Sequence, residues 1–317
     1  MEVLSSYKNG NYNVTIYSDG TKIRENDLDF FDPDRPESID LTVTYQCEIG
    51  CPYCYQGCTK DGETCNFKDP IIETFPEGME VAIGASGGVF TKENVNNFTR
   101  FLKKLKSKKC IPSITVNQTH FIAHRNIIED LIKNKLVYGV GVSISNKLKG
   151  FYGLSYVLQY FKEQNIHKNI VLHTIAGVHT VENLKRLSHI FEDSYKPKIL
   201  VLGYKNIGKG IDYGKQFPDE VRHNIEDLKN NIIDISSLYS VMSFDNPACV
   251  QLNLKDKVSP EEWESHYLGD DGSHTFYLDL VKRTFSISSL HTETYDIDDF
   301  KSIKDMFLFV KEKSKNN

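Results

Sequence analysis

The chain has 317 residues, 39% of them hydrophobic and 26% charged, with a net charge of −5. This is the composition of an ordinary globular chain long enough to bury a core. It lacks the basic excess of a nucleic-acid-binding domain, any apolar run of membrane-spanning length and, over residues 1–5, the features of a secretory leader, so a cytoplasmic location without membrane or nucleic-acid partners is expected.

Residues 1–36 read as a small N-terminal β extension. Tyr12–Tyr17 is a strand candidate, followed by a turn at Ser18-Asp19-Gly20, and Asp32-Pro33-Asp34-Arg35-Pro36 reads as a linker. Residues 37–235 form an α/β core. Its strand candidates are Leu41–Tyr45, Glu80–Gly84, Ser113–Asn117, Tyr138–Ser145, Asn169–Ile175 and Lys198–Leu202, several of them short, β-branched and apolar as buried parallel strands are.

Between these strands, apolar residues recur every three or four positions. Val95, Phe98, Leu102 and Leu105 form one stripe; Ile128, Leu131, Ile132 and Leu136 a second. Leu154, Val157, Leu158 and Phe161 form a third, Val181, Leu184, Leu187 and Phe191 a fourth, and Val221, Ile225, Leu228 and Ile232 continue the pattern. Such stripes are the core-facing sides of helices. The helix after the first strand is the weakest, with only Ile71, Ile72 and Phe75 to mark it. Six strands alternating with helices imply a parallel sheet with right-handed crossovers. Either an open, partial barrel or a doubly wound sheet satisfies that pattern.

Residues 236–317 read as a C-terminal α+β appendage. His274–Leu280 and Thr284–Ser289 form a hairpin pattern, and a last helix running to about Lys313 is expected, capped by Asp298.

Seven cysteines are present, and five lie between Cys47 and Cys65. An odd count in one dense cluster, with no leader, argues for metal rather than a disulfide framework. Cys47, Cys51 and Cys54 have the spacing Cys-x3-Cys-x2-Cys in a loop directly after the first core strand, where Gly50, Pro52 and Gly57 allow the turns that make three sulfurs converge. Soft thiolates so close together suit an iron–sulfur cluster or zinc. Three ligands for a four-iron cluster leave one iron open to a substrate or cofactor. The alternative is a closed site, zinc or electron-transfer, completed by Cys58. Zinc sites, however, usually come as separated pairs, and no second pair is present.

The segment Cys47-Glu48-Ile49-Gly50-Cys51-Pro52-Tyr53-Cys54 resembles the signature of the radical S-adenosylmethionine enzyme superfamily. The resemblance covers roughly residues 37–215. It implies a partial (β/α)6 barrel whose cluster loop follows the first strand, a single 4Fe–4S cluster on Cys47, Cys51 and Cys54, and S-adenosylmethionine bound to the open iron. It also implies reductive cleavage of that cofactor, hydrogen-atom abstraction from a substrate, and an electron donor such as flavodoxin or ferredoxin. Gly87 and Gly88, after the second strand, match the start of the family's Gly-Gly-Glu-Pro motif. Val89 and Phe90 replace its last two residues, which removes an acidic contact to the methionine amine. By the same resemblance Tyr53 lies near the adenine, Ser143, Ser145 and Asn117 reach the ribose, and His173, Thr174 and Ile175 lie beside the adenine. Lys205, Gly208, Lys209 and Gly210, after the sixth strand, are candidates for holding an anionic group. Cys58, Cys65, Cys110 and Cys249 are left without a role. The Cys-Pro-Tyr-Cys-Tyr stretch is similar to that of members acting on peptides or proteins, with a nucleotide or small metabolite as the second choice. A non-catalytic iron–sulfur or zinc binding module remains the reading from another class.

Overall fold

The computed structural model describes residues 2–28, 30–85, 87–145, 148, 150–191 and 195–315. The strands are β1 (Val3–Asn9), β2 (Tyr12–Tyr17), β3 (Lys22–Glu25), β4 (Ser38–Thr42), β5 (Glu80–Gly84), β6 (Ile111–Asn117), β7 (Gly139–Ser143), β8 (Ile170–Ile175), β9 (Lys198–Leu202), β10 (Val241–Phe244), β11 (Thr275–Asp279), β12 (Thr284–Ser286) and β13 (Tyr295–Asp296). The helices are α1 (Val95–Ser107), α2 (Gln118–Ala123), α3 (Arg125–Lys133), α4 (Phe151–Glu163), α5 (Val181–Ser188), α6 (Lys209–Gln216), α7 (Pro218–Ser236), α8 (Asn246–Gln251), α9 (Pro260–His266) and α10 (Ile303–Ser314). The protein is mixed α/β, built on one large sheet in the order β10-β9-β8-β7-β6-β5-β4-β11-β12-β13, with β1-β2-β3 as a separate antiparallel sheet.

All pairings from β10 through β4 to β11 are parallel; β12 and β13 are antiparallel additions. The six expected core strands are therefore joined by two further parallel ones. β10 extends the β9 edge, and β11, besides forming the expected hairpin with β12, pairs with the far side of β4. Residues beyond 235 thus supply part of the main sheet. Neither addition carries the mark of a buried parallel strand. β10 is four residues of alternating exposure, and a hairpin strand does not announce a partner on its second edge.

Along most core strands, buried residues alternate with more open ones, as in Ile39/Asp40/Leu41 and Leu172/His173/Thr174. The buried set meets the helices in one large core. The open set faces inward, because the sheet curls. Laid flat, β4 and β9 would stand about 24 Å apart at ~4.8 Å per strand. Asp40 on β4 nevertheless feels the charges of Lys205 and Asp245, just beyond β9 and β10. The curl stops short of closure, since β10 and β13 are the sheet's two ends.

The N-terminal sheet plugs the chamber at the strand starts. Glu37, wholly buried just before β4, takes Tyr12 Oη at 2.6 Å, Arg24 Nε at 2.8 Å and Lys22 Nζ at 3.2 Å. Lys22 also pairs with Glu80 at the start of β5, and Asn169, before β8, donates to Ser18 O. The chamber therefore opens at the C-terminal ends of the strands, where α/β proteins carry their sites.

Two local expectations differ from the structure. The weak helix near Ile71 is a short tight turn at Pro70–Thr74. The last helix is capped by Ser302, whose side chain accepts from Asp305 N, while Asp298 pairs with Arg283. No helix among the described residues is long and apolar enough to cross a membrane.

Candidate functional site: a cysteine loop over the chamber mouth

The loop after β4 folds back on itself. Cys47 N donates to Thr59 O (2.7 Å), Thr59 N to Tyr45 O (3.0 Å), and Cys65 N to Val43 O (2.9 Å). Gly50 and Gly57 adopt φ of 66° and 68°, the left-handed region in which glycine escapes a Cβ penalty. Two anchors hold the loop across the chamber. On the β11 side, Tyr45 Oη donates to Asp279 Oδ2 at 2.5 Å, and Gln56 Nε2 donates to Thr42 Oγ1, which also meets Tyr277 Oη. On the β9 side, Lys209 N donates to Cys54 O (3.0 Å) and Lys209 Nζ to Cys58 O (2.6 Å). Gly208 packs so closely there that a Cβ would lie 2.2 Å from Tyr55 O. Lys209 is thus spent on bracing the loop, and Lys205 leans over the Tyr55 ring at 4.4 Å.

Cys47, Cys51 and Cys54 are half-buried with free thiols. Burial pushes the Cys51 thiol up to about 11, with Cys54 and Cys47 adding to the shift. A hydrogen bond with Cys58 holds the Cys54 thiol down, and Cys58 correspondingly keeps its proton. Asn117, at the end of β6, accepts Thr119 N on its Oδ1, capping α2, and turns its Nδ2 to Cys51 Sγ at 3.7 Å. Among the described residues, no three His, Cys, Asp or Glu side chains stand together as a metal site. The donor chemistry nonetheless fits an iron–sulfur cluster. Three soft thiols stand on one pinned loop, each within electrostatic reach of another, with an amide N–H directed at one sulfur, as cluster sulfurs commonly receive.

Gly87 and Gly88 press against this loop. Gly88 N donates to Gln46 O (2.9 Å), and a Cβ there would meet Thr44 Oγ1 at 2.6 Å. A Cβ on Gly87 would lie 2.4 Å from His120 Nε2 and 2.8 Å from Glu48 Oε2. Val89 and Phe90 are buried, Phe90 stacked on His124 at 4.9 Å. Tyr53 packs edge-on against Tyr213 at 5.7 Å. Ser143 pairs in register with both Asn117 and His173, and Ser145 N donates to Gln118 Oε1 at 3.2 Å. Asn117 thus stands directly against the cysteine loop, while Ser143 and Ser145 lie on the neighbouring strand end. His173 fills the notch left by Gly141, and burial pushes it down to about 4; its Nδ1 has no hydrogen-bond partner. The Thr174 hydroxyl is also buried without a partner, and Ile175 N donates to His179 Nδ1. Cys65 and Cys110 are core residues, both pushed up to about 12 by burial.

Several residues here escaped the sequence reading. His120, 2% exposed, pairs with Glu48 at 3.1 Å, and Gln118 is 1% exposed. His179 accepts Ile175 N on Nδ1 and donates from Nε2 to Ile144 O, tying the ends of β7 and β8. Asp40 carried one legible signal: it is a carboxylate between two apolar strand residues, Ile39 and Leu41.

No known protein family's profile matches the chain, and no curated protein sequence matches it. Two solved structures of Xanthomonas albilineans dihydropteroate synthase align with 72% of this chain and 95% of theirs. One holds indole-2-carboxylic acid and 6-chloroguanine (12% identity) and one 4-aminobenzoic acid (10%), each with a TM-score of 0.34. BtrN in complex with AdoMet and 2-DOIA aligns with 90% of this chain and 89% of its own at 11% identity, TM-score 0.22. Likenesses this slight carry no argument about fold or function.

Proposed function

We propose that this protein is a radical S-adenosylmethionine enzyme that acts on a peptide or protein substrate in the cytoplasm. The observation that carries the reading is the Cys-x3-Cys-x2-Cys loop, pinned at the C-terminal end of the first strand of a curled parallel sheet and facing an internal chamber. In this reading the core is a partial barrel, and Cys47, Cys51 and Cys54 hold a 4Fe–4S cluster. Asn117 donates to the sulfur of Cys51. Tyr53, Gly87, Gly88, Ser143 and Ser145 line the place of the cofactor. When bound, cluster and S-adenosylmethionine would together supply one-electron reductive cleavage of the sulfonium cofactor and, through it, hydrogen-atom abstraction from the substrate. The chain's own residues orient the bound molecules and exclude water. The electron comes from a donor such as flavodoxin or ferredoxin. A nucleotide or small metabolite is the alternative substrate.

A second reading has one observation in its favour: Cys58 stands within hydrogen-bonding reach of Cys54. As a fourth ligand it would close the site and make the protein a non-catalytic iron–sulfur or zinc module. Anaerobic reconstitution with iron and sulfide, followed by dithionite and S-adenosylmethionine, separates the two. 5′-Deoxyadenosine that disappears in Cys47→Ala, Cys51→Ala and Cys54→Ala but persists in Cys58→Ala supports the enzyme. Bound zinc, or cluster loss in Cys58→Ala, supports the module.

A further inference from the structure

Beside the β10 end of the curled sheet, a cleft of about 510 Å³ lies against α8, α9 and the segment after β12. One wall is the stacked pair Trp263 and Tyr267, ring centroids 4.6 Å apart at 18°. Asp270 and Asp271 also line it, and Asn246 Nδ2 ties Asp271 at 2.7 Å. Lys255 is the cation on the rim. Behind the cleft lies the chamber. Ser288 lines the cleft, while the adjacent Ser289 lies 3.4 Å from Lys205 Nζ.

Two carboxylates there are underused. Asp245 caps α8 with Oδ1, but its Oδ2 is buried without a hydrogen-bond partner, 3.9 Å from Lys205 Nζ. Asp40 is surrounded on every side by protein, yet its side chain touches solvent-sized space, so it faces the open chamber. No described residue hydrogen-bonds to it. Asp40, Asp245 and Asp271 lie within electrostatic reach of one another. Together with Asp270 they outnumber the two nearby ammonium groups, Lys205 and Lys255. Carboxylates in excess of nearby cations make the cleft's inner wall negative, and an arriving cation balances that charge. Aromatic faces at the mouth favour the same charge.

We propose that the cleft beside α8 and α9, together with Asp271, Asp245 and Asp40 behind it, binds an organic cation, the ammonium or guanidinium group of the substrate. This rests on the reading of the chamber as the substrate's place. The cleft contains none of Cys47, Cys51 and Cys54, so the two claims fail separately.

Trp263 is the chain's only tryptophan and stands in the cleft, so its fluorescence reports occupancy. The full-length chain, with and without reconstituted cluster, is titrated with the peptide Gly-Arg-Gly-Lys-Gly, with free spermidine and with Gly-Gln-Gly-Gln-Gly. Saturable change with either cationic probe, weakened about tenfold or more in Asp40→Asn and Asp271→Asn, supports the site. Preference for the peptide or for spermidine then tells a chain-borne from a free amine. Circular dichroism establishes that both variants fold. Equal response to the neutral peptide, or cation affinity unchanged in both folded variants, overturns the proposal. Cation binding alongside failed 5′-deoxyadenosine formation would sink the radical reading and leave the cation site standing.

Discussion

His179 is a buried histidine whose protonation state the backbone dictates. It is 1% exposed, accepts Ile175 N–H on Nδ1 at 3.0 Å and donates Nε2–H to Ile144 O at 3.2 Å. A second proton would have to sit on Nδ1, against an N–H donor. Burial accordingly pushes the group from its usual 6.5 down to about 4. A depressed histidine contributes stability that is fully present above 6.5 and is lost as pH falls toward 4, because the unfolded chain takes up the proton first. The span of ~2.5 units at ~1.4 kcal/mol each sets a ceiling of about 3 kcal/mol, of which about 2 kcal/mol is gone by roughly pH 5. Urea unfolding of wild type and His179→Gln, each at pH 7.5 and 5, isolates this contribution, because His173, His124 and His167 titrate in both proteins. The variant should start about 1–3 kcal/mol less stable at pH 7.5, having lost a buried hydrogen-bonding ring. Its further loss on going to pH 5 should be smaller than that of wild type by about 2 kcal/mol. An identical pH 7.5-to-5 decline in both proteins would refute the argument.

The remaining predictions concern packing and buried charge. Gly141→Ala places a Cβ 2.2 Å from the His173 ring; it should cost about 1–3 kcal/mol by thermal or urea unfolding, and less in a His173→Ala background. Burial alone would raise the Glu37 carboxyl, but His274, Lys22 and Arg24 hold it well below the usual range. Glu37→Gln should therefore cost about 3–5 kcal/mol at neutral pH, and the wild-type advantage should fade as acid protonates Glu37. Val89→Glu supplies the residue that the Gly-Gly-Glu-Pro motif would carry, yet Val89 is fully buried. It should lower stability by several kcal/mol and leave S-adenosylmethionine affinity unimproved in equilibrium dialysis.

Local pattern was enough for much of this protein. The strands Glu80–Gly84 and Lys198–Leu202 stand at their expected bounds, and the stripes from Val95 and Leu154 are the core faces of α1 and α4. The cysteine spacing marked the loop after the first core strand, and the positive φ at Gly50 and Gly57 agrees with the turns expected of it. Each of these signals is carried by neighbouring residues, through side-chain periodicity, turn preference or donor type. What faces what across the molecule is not. A strand's second edge is bare backbone with no residue signature, so the pairing of β11 with β4 was invisible. Alternation in β4 says that Asp40 turns away from the helices, but not that Lys205, Asp245 and Asp271 await it. Only the curl of the sheet, which accumulates over many strands, brings those groups together, sets Asn117 against Cys51, and leaves the ends at β10 and β13 unjoined.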